Sequence, residues 1–277
     1  MYTSWMPAIL LYGAAFLLYA ALAFHFWRTR WRGTSAPQFA PWERIAILAP
    51  LALHTWLVYD MLWSLQLRFG FGQALSMMLW LAVIIYWIES RFLQLEGMQA
   101  PVLALAALCV PLPALFPGLA SASAAHSTEF RLHLALAMIA YGLFTIAALH
   151  ALLMTLMERR LHGGAPVGPL AAMPPLLTME RLLFRVILAG FAFLTLTVVT
   201  GIAFSETLFS RAMKFDHKTV FAIASWFIFG ALLAGRYFYG WRGRTALRWT
   251  LAGFVALLLA YVGSRFVLEV ILQRAAV

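Results

Sequence analysis

Arg131–Met157 reads RLHLALAMIAYGLFTIAALHALLMTLM. Arg131 and two histidines are its only charged or imidazole side chains. A helix over this stretch, at 1.5 Å per residue, is long enough to cross a bilayer, which takes about 20 apolar residues. His133 falls about half a turn inside the run, where an ionisable ring is costly unless something partners it. His150 follows 17 residues later, about 25 Å along the axis at helical pitch. The helix therefore carries one imidazole towards each side of the membrane, and the two cannot share a ligand.

The rest of the chain has the same character. Of 277 residues, 64% are hydrophobic and 11% charged, and the mean hydropathy is +0.87. This balance leaves too little polar surface for a water-soluble fold and specifies an all-α, polytopic transmembrane helix bundle. The net charge of +10 would suggest nucleic acid in a soluble chain. Here the basic residues stand between apolar runs, where they set topology against an anionic lipid leaflet, and no nucleic-acid partner is expected. Cys109 is the one cysteine, which excludes a disulfide, a Cys-x-x-Cys redox pair and a covalent haem site. The first run lacks a preceding basic segment, the pattern of a retained helix rather than a cleaved signal peptide.

Eight apolar runs are expected to span: Pro7–Phe26, Ile45–Trp63, Gly72–Ile88, Met98–Phe116, Arg131–Met157, Leu182–Phe204, Thr219–Tyr239 and Leu247–Leu268. The fourth contains Pro101, Pro111, Pro113 and Pro117, so a short or broken helix is expected there. Residues 1–277 form a single integral membrane domain, with Glu158–Arg181 read as a cytoplasmic linker on the strength of its HGGAPVGPLAAMPP segment. With the N-terminus outside, the inner loops and helix ends collect 13 basic residues (Arg28, Arg30, Arg32, Arg44, Arg91, Arg159, Arg160, Arg181, Arg185, Arg236, Arg242, Arg244 and Arg248). The outer side then holds 7 (Arg68, Arg131, Arg211, Lys214, Lys218, Arg265 and Arg274). The excess predicts both termini on the outer, periplasmic face of a bacterial cytoplasmic membrane.

In that frame His54 lies mid-helix, His133 near the outer end of the fifth run, and His126 and His217 in outer loops. His25, His150 and His162 fall on the inner side as interfacial or loop residues. His54 reads either as a structural histidine bonded to a carbonyl or hydroxyl, or as a ligand; burial in a bilayer tilts the balance towards function. Neutral imidazole is a good axial ligand for haem iron, its second nitrogen being orientable by a neighbour. His54 and His133 are accordingly the candidate metal ligands, with non-covalent haem b as the cofactor. His217, between Asp216 and Lys218, reads first as a loop residue and second as a ligand. Asp60 is expected to snorkel to the interface. Arg131 and Arg265 carry planar forks suited to carboxylates such as haem propionates.

The segment RAMKFDHKTVFAIASWFIFGALLAGRYFYGWRGR, Arg211–Arg244, resembles the tryptophan-motif region of the cytochrome c assembly proteins, the CcsA, ResC and CcmC haem handlers. MPPLLTMER, LTLTVVTGIAF, GWRGR and AYVGSR are most similar to the HemX-like, YpjD-type inner-membrane branch of that superfamily. The resemblance implies that LHLALAMIAYGLF is the histidine-led helix with His133 at an outer ligand position, that His54 is an intramembrane histidine, and that Trp226, Phe227 and Phe229 line the pocket. Only Asp216 and Lys218 remain of the tryptophan-rich outer loop. Ala234 or Arg236 stands where the haem handlers have a second intramembrane histidine, and Ser264–Leu272 lacks the second outer one.

The reading that follows is a haem-binding membrane protein engaged in haem handling, cytochrome c biogenesis or regulation of haem supply, contacting lipid, haem and another inner-membrane protein. The alternative is a haem-free accessory or scaffold subunit of another inner-membrane complex, such as an ion transporter. A transporter using His54 and Asp60 as a proton relay ranks third. No nucleophile–base pair, metal motif or phosphate loop marks an enzyme.

Overall fold

In the computed structural model, residues 5–32, 40–63, 68–118, 127–162, 174–204 and 216–272 are described. His126, Arg211, Lys214 and Arg274 fall outside them. Eight helical elements correspond to the eight apolar runs: α1 (Trp5–Phe26), α2 (Pro41–Trp63), α3 (Phe71–Glu89), α4 (Gln99–Leu115), α5 (Thr128–His162), α6 (Leu176–Ala203), α7 (His217–Tyr239) and α8 (Gly243–Ile271). All but α4 are long and apolar enough to cross a membrane. The chain is thus a polytopic helical membrane protein, since helices satisfy their own backbone groups where no water can.

Element α4 breaks where its prolines demand. Gln99–Cys109 ends at a turn, and a second short piece covers Leu112–Leu115. Pro101 and Pro113 are accommodated in the first turns of the two pieces, where a missing N–H costs nothing, whereas Pro111 interrupts the ladder between them.

Several helices outrun their apolar segments. Glu158–His162 continues α5 and Leu176–Arg181 belongs to α6, so the Glu158–Arg181 linker shrinks at both ends; residues 163–173 are not described. These polar turns hold because their charges pair. Arg244 Nε donates to Glu158 Oε1 at 2.6 Å, and Arg236 forms a close ion pair with Glu180. Gly240, at φ +66°, closes α7 in the left-handed conformation that glycine adopts without penalty.

Helices α3 and α5 form the spine. In each, 61% of the most apolar window is buried inside the protein, against 17–33% in the other long helices. α5 packs on α3, α6 and α8, and on the 3-10 turn Glu96–Met98 ahead of α4. A Cβ on Gly142 would stand 2.6 Å from Leu81 Cβ, which lets α5 and α3 approach closely.

The second half is bound by two rings. Phe144 (α5) and Phe229 (α7) stack with centroids 3.8 Å apart and planes 17° from parallel, both fully buried. Gly190 (α6) lies against the outer face of Phe144, and Gly253 (α8) against that of Phe229; Cβ atoms there would meet the rings at 3.0 Å and 2.8 Å. Four helices thus meet through one glycine–ring–ring–glycine sandwich. Phe144→Ala should cost about 3–5 kcal/mol through the cavity it leaves, and Gly253→Ala about 1–3 kcal/mol through overpacking. Unfolding of the detergent-solubilised variants followed by circular dichroism measures both; unchanged midpoints would show that the sandwich does not hold these helices.

Candidate functional site

The alternating helices bring the N-terminal ends of α3, α5 and α7 to the same side of the bundle as the C-terminal ends of α6 and α8. His133 sits there, half-buried, one turn inside α5. Its Nδ1 lies 3.0 Å from Thr200 Oγ1 of α6. The Thr200 hydroxyl donates to backbone carbonyls of its own helix, at 2.8 Å to Leu196 and 3.1 Å to Thr197. With its one proton so directed, the oxygen accepts from Nδ1–H. That favours the tautomer with its proton on Nδ1 and its lone pair on Nε2, the arrangement that a hydroxyl or carbonyl acceptor imposes on metal-binding histidines. Gly201 gives the ring room: a Cβ there would meet His133 Cε1 at 3.3 Å.

Trp226 of α7 lies deeper on the same side. Its Nε1 donates to Thr195 Oγ1 at 2.9 Å, and its ring stacks on Phe191 at 5.6 Å. Thr195 and Thr200 are five residues apart on α6, so Trp226 is anchored about 7.5 Å further into the bundle than His133. The other aromatics implied by the resemblance are placed differently. Phe227 is 63% exposed and faces out of the bundle, and Phe229 is locked in the glycine sandwich.

His217 is the first residue of α7 and is exposed. The preceding Asp216 is the N-cap, accepting from Thr219 N at 3.0 Å, which gives it a structural task. On α8, Arg265 Nη1 stands 3.9 Å from Glu269 Oε1, its guanidinium packs over Tyr261 at 5.7 Å, and its Nε is buried without a hydrogen-bond partner. Glu269 Oε2 accepts from Phe71 N at 3.3 Å. Beside them runs a groove of about 500 Å³, lined by apolar residues of α3, α4 and α8 including Phe71, Leu112, Phe116, Leu258 and Phe266. His133 is not among its walls.

His54 belongs to a different neighbourhood. It is 0% exposed. Its Nε2 lies 2.9 Å from Ser76 Oγ on α3, and its Nδ1 3.4 Å from Tyr19 OH on α1. Each ring nitrogen has a hydroxyl, one to donate to and one to accept from. The structure therefore does not bring His54 and His133 to a common point. Asp60 is exposed near the end of α2. His25 and His162 lie at the opposite end of the bundle, His25 paired with Glu43 at 2.9 Å and His162 bonded to Glu158 O at 2.8 Å. His150, expected at an interface, is instead fully buried.

Sequence reasoning had no access to Thr200 as a partner of His133; Glu269, near a helix end, was expected to pair or snorkel, but its partner at Phe71 was not legible. A threonine in an apolar helix and an acid near a helix end are common, and the partners of these two lie 67 and 198 residues away.

Comparison with known proteins agrees with this architecture. Inner membrane protein YpjD of Escherichia coli (strain K12) is 39% identical over 139 residues, 50% of this chain and 52% of the relative. An uncharacterized 28.8 kDa protein of Azospirillum brasilense is 36% identical over 141 residues, 51% of this chain and 52% of that one. Cytochrome c biogenesis protein CcsA of Gloeobacter violaceus is 29% identical over 92 residues, 33% of this chain and 27% of the relative. The chain spans about half the length of the first two and about a quarter of the third. The pattern of the family described as cytochrome c assembly protein matches residues 44–272, nearly the whole bundle, and the chain belongs to that family.

Proposed function

We propose that this protein binds haem at the His133 end of the bundle and acts in haem handling, cytochrome c biogenesis or regulation of haem supply in the bacterial cytoplasmic membrane. The observation that carries this reading is the His133–Thr200 hydrogen bond at 3.0 Å, which holds the ring through Nδ1 and so keeps Nε2 for a ligand. Family membership and the CcsA and YpjD relatives are consistent with it. Haem, when bound, would supply an iron that accepts an imidazole nitrogen. The protein's own part is to hold His133 in one tautomer, to offer Trp226 as an aromatic wall, and to present Arg265 to a propionate. His217, exposed at the same end, is the second imidazole that the described residues offer there. Haem contact at His54 would require Ser76 or Tyr19 to release the ring, so His54 is assigned to packing in this reading.

A haem-free scaffold subunit is the second reading. It is favoured by the satisfied state of His54 and by the absence, among the described residues, of a second imidazole facing it.

An absorption spectrum of the purified protein, with and without added hemin, decides between them. A Soret band that shifts on reduction is expected. His133→Ala should abolish it, and Thr200→Val should weaken haem affinity about 10-fold through loss of the orienting acceptor. His54→Ala should leave the band in place. No band in the wild type after hemin addition would sink the haem reading and turn attention to a co-purifying partner.

We also propose that both ends of the chain lie in the periplasm. Alkaline phosphatase fused after residue 277 should be active and the same fusion after Gly240 inactive; the reverse pattern would invert the orientation.

A further inference from the structure

The end of the bundle that carries His133 also holds a groove that the haem reading leaves unused. It runs between α3, α4 and α8 and encloses about 500 Å³, with Phe71, Leu75, Leu112, Phe116, Gly263 and Phe266 among its walls; no polar side chain lines it. The break in α4 accounts for it, because the short second piece, Leu112–Leu115, forms one wall and does not close the space between α3 and α8. Along α8 the groove extends from Leu258 to Phe266, about 12 Å at helical pitch. That is too short for a partner helix, which needs about 30 Å to cross the hydrocarbon, and it matches the chains of a single leaflet.

Charged groups stand at its mouth. Arg265 precedes the wall residue Phe266, and Glu269 Oε2 accepts from the N–H of the wall residue Phe71 at 3.3 Å. Lys218, in the first turn of α7, lies within electrostatic reach of Arg265, Asp216 and Glu269. Both acids are committed to helix starts, Glu269 to α3 and Asp216 to α7 through Thr219 N at 3.0 Å, where the partial positive charge of the backbone balances them. The two cations lack such a counterpart. Arg265 Nη1 stands 3.9 Å from Glu269 Oε1, beyond hydrogen-bond length, and Lys218 makes no ion pair among the described residues. Two like charges held near one another at a membrane boundary favour an anion beside them.

We propose that this groove binds one anionic glycerophospholipid, with an acyl chain between α3, α4 and α8 and the phosphate held by Arg265 and Lys218. Guanidinium and ammonium both donate to phosphate oxygens, and the apolar walls take hydrocarbon without leaving a polar atom unpaired. The lipid fills the space beside the broken α4 and joins α8 to α3 where Glu269 meets Phe71. Arg265 is also the group offered to a propionate, whereas Lys218 and the groove have no part in the haem reading, so either can fail alone.

Native mass spectrometry of the detergent-purified protein reads the bound lipid directly. Titrated with dioleoylphosphatidylglycerol, the wild type should retain one lipid per chain; dioleoylphosphatidylcholine, with the same chains and no net charge, should be retained more weakly. Lys218→Gln should weaken retention of the anionic lipid about fivefold, the worth of one basic group at an anionic head. Leu75→Trp, which fills the groove, should weaken retention of both lipids, and Arg28→Gln, at the other end of the bundle, should change neither. Equal retention of the two lipids by the wild type, or anionic retention unchanged in Lys218→Gln or in a folded Leu75→Trp, overturns the proposal. So does a loss confined to Arg28→Gln, or a second protein chain bound in place of lipid. Lys218 is half-buried at a helix start, so its variant decides even where Leu75→Trp fails to fold.

Discussion

The stack of Phe144 on Phe229 is the contact on which the second half of the molecule depends. Lipid tails are as apolar as leucine, so burying hydrocarbon does not by itself draw helices together inside a membrane. Close fit has to do so. The two rings, 3.8 Å apart, fill the space left by Gly190 and Gly253, and no larger residue at either glycine leaves the rings where they are. With α5 and α6 fixed against each other through Phe144 and Gly190, the His133–Thr200 bond about three turns away along both helices falls into register. The site's geometry therefore follows from the packing beneath it rather than from the polar atoms themselves.

Much of this was legible in the sequence, for definable reasons. Hydrophobic run length located the seven helices long enough to span, because bilayer thickness sets a minimum length that composition alone reveals, and the run expected as an eighth span proved to be the shorter, broken α4. The prolines of residues 101–117 announced the break in α4. His133 stood out because an imidazole in an apolar run needs a reason. Partnership across the bundle was not legible. His54 looked the same in sequence whether caged or free, and the hydroxyls that cage it lie 35 and 22 residues away on α1 and α3. His150 was misplaced because the apolar run ends at Met157 whereas the helix continues to His162. Twelve residues of helix beyond His150 put it about 18 Å from that end. Helix ends were underestimated wherever ion pairs, invisible to hydropathy, prolong them.

The two ends of the bundle also differ in how their acids are used. At the end bearing the basic excess, Glu43, Glu158 and Glu180 each engage an arginine, and Glu43 engages His25 as well. Glu180 Oε2 also lies 3.4 Å from Gly243 N at the start of α8, where a helix N-terminus favours negative charge. The arginines that bias topology are thus partly committed to the fold. Counting them as free topological charges and treating them as structural cations are two descriptions of the same residues.

Glu269 does for α3 what Glu180 does for α8, across a far longer loop of chain. Its carboxylate accepts from Phe71 N and occupies the space in which a side chain at position 70 would begin. Tyr261 OH donates to Phe69 O at 3.1 Å, and Phe266 meets Phe71 edge to face at 5.3 Å. The start of the third helix is therefore finished by groups at the end of the eighth. During synthesis, Phe71 N at the start of α3 lacks its Glu269 acceptor until five further elements have emerged, while Gly70 N is bound at once by Gln73. Assembly of this bundle cannot be completed in the order of translation: its closing step is the return of the last helix to the third.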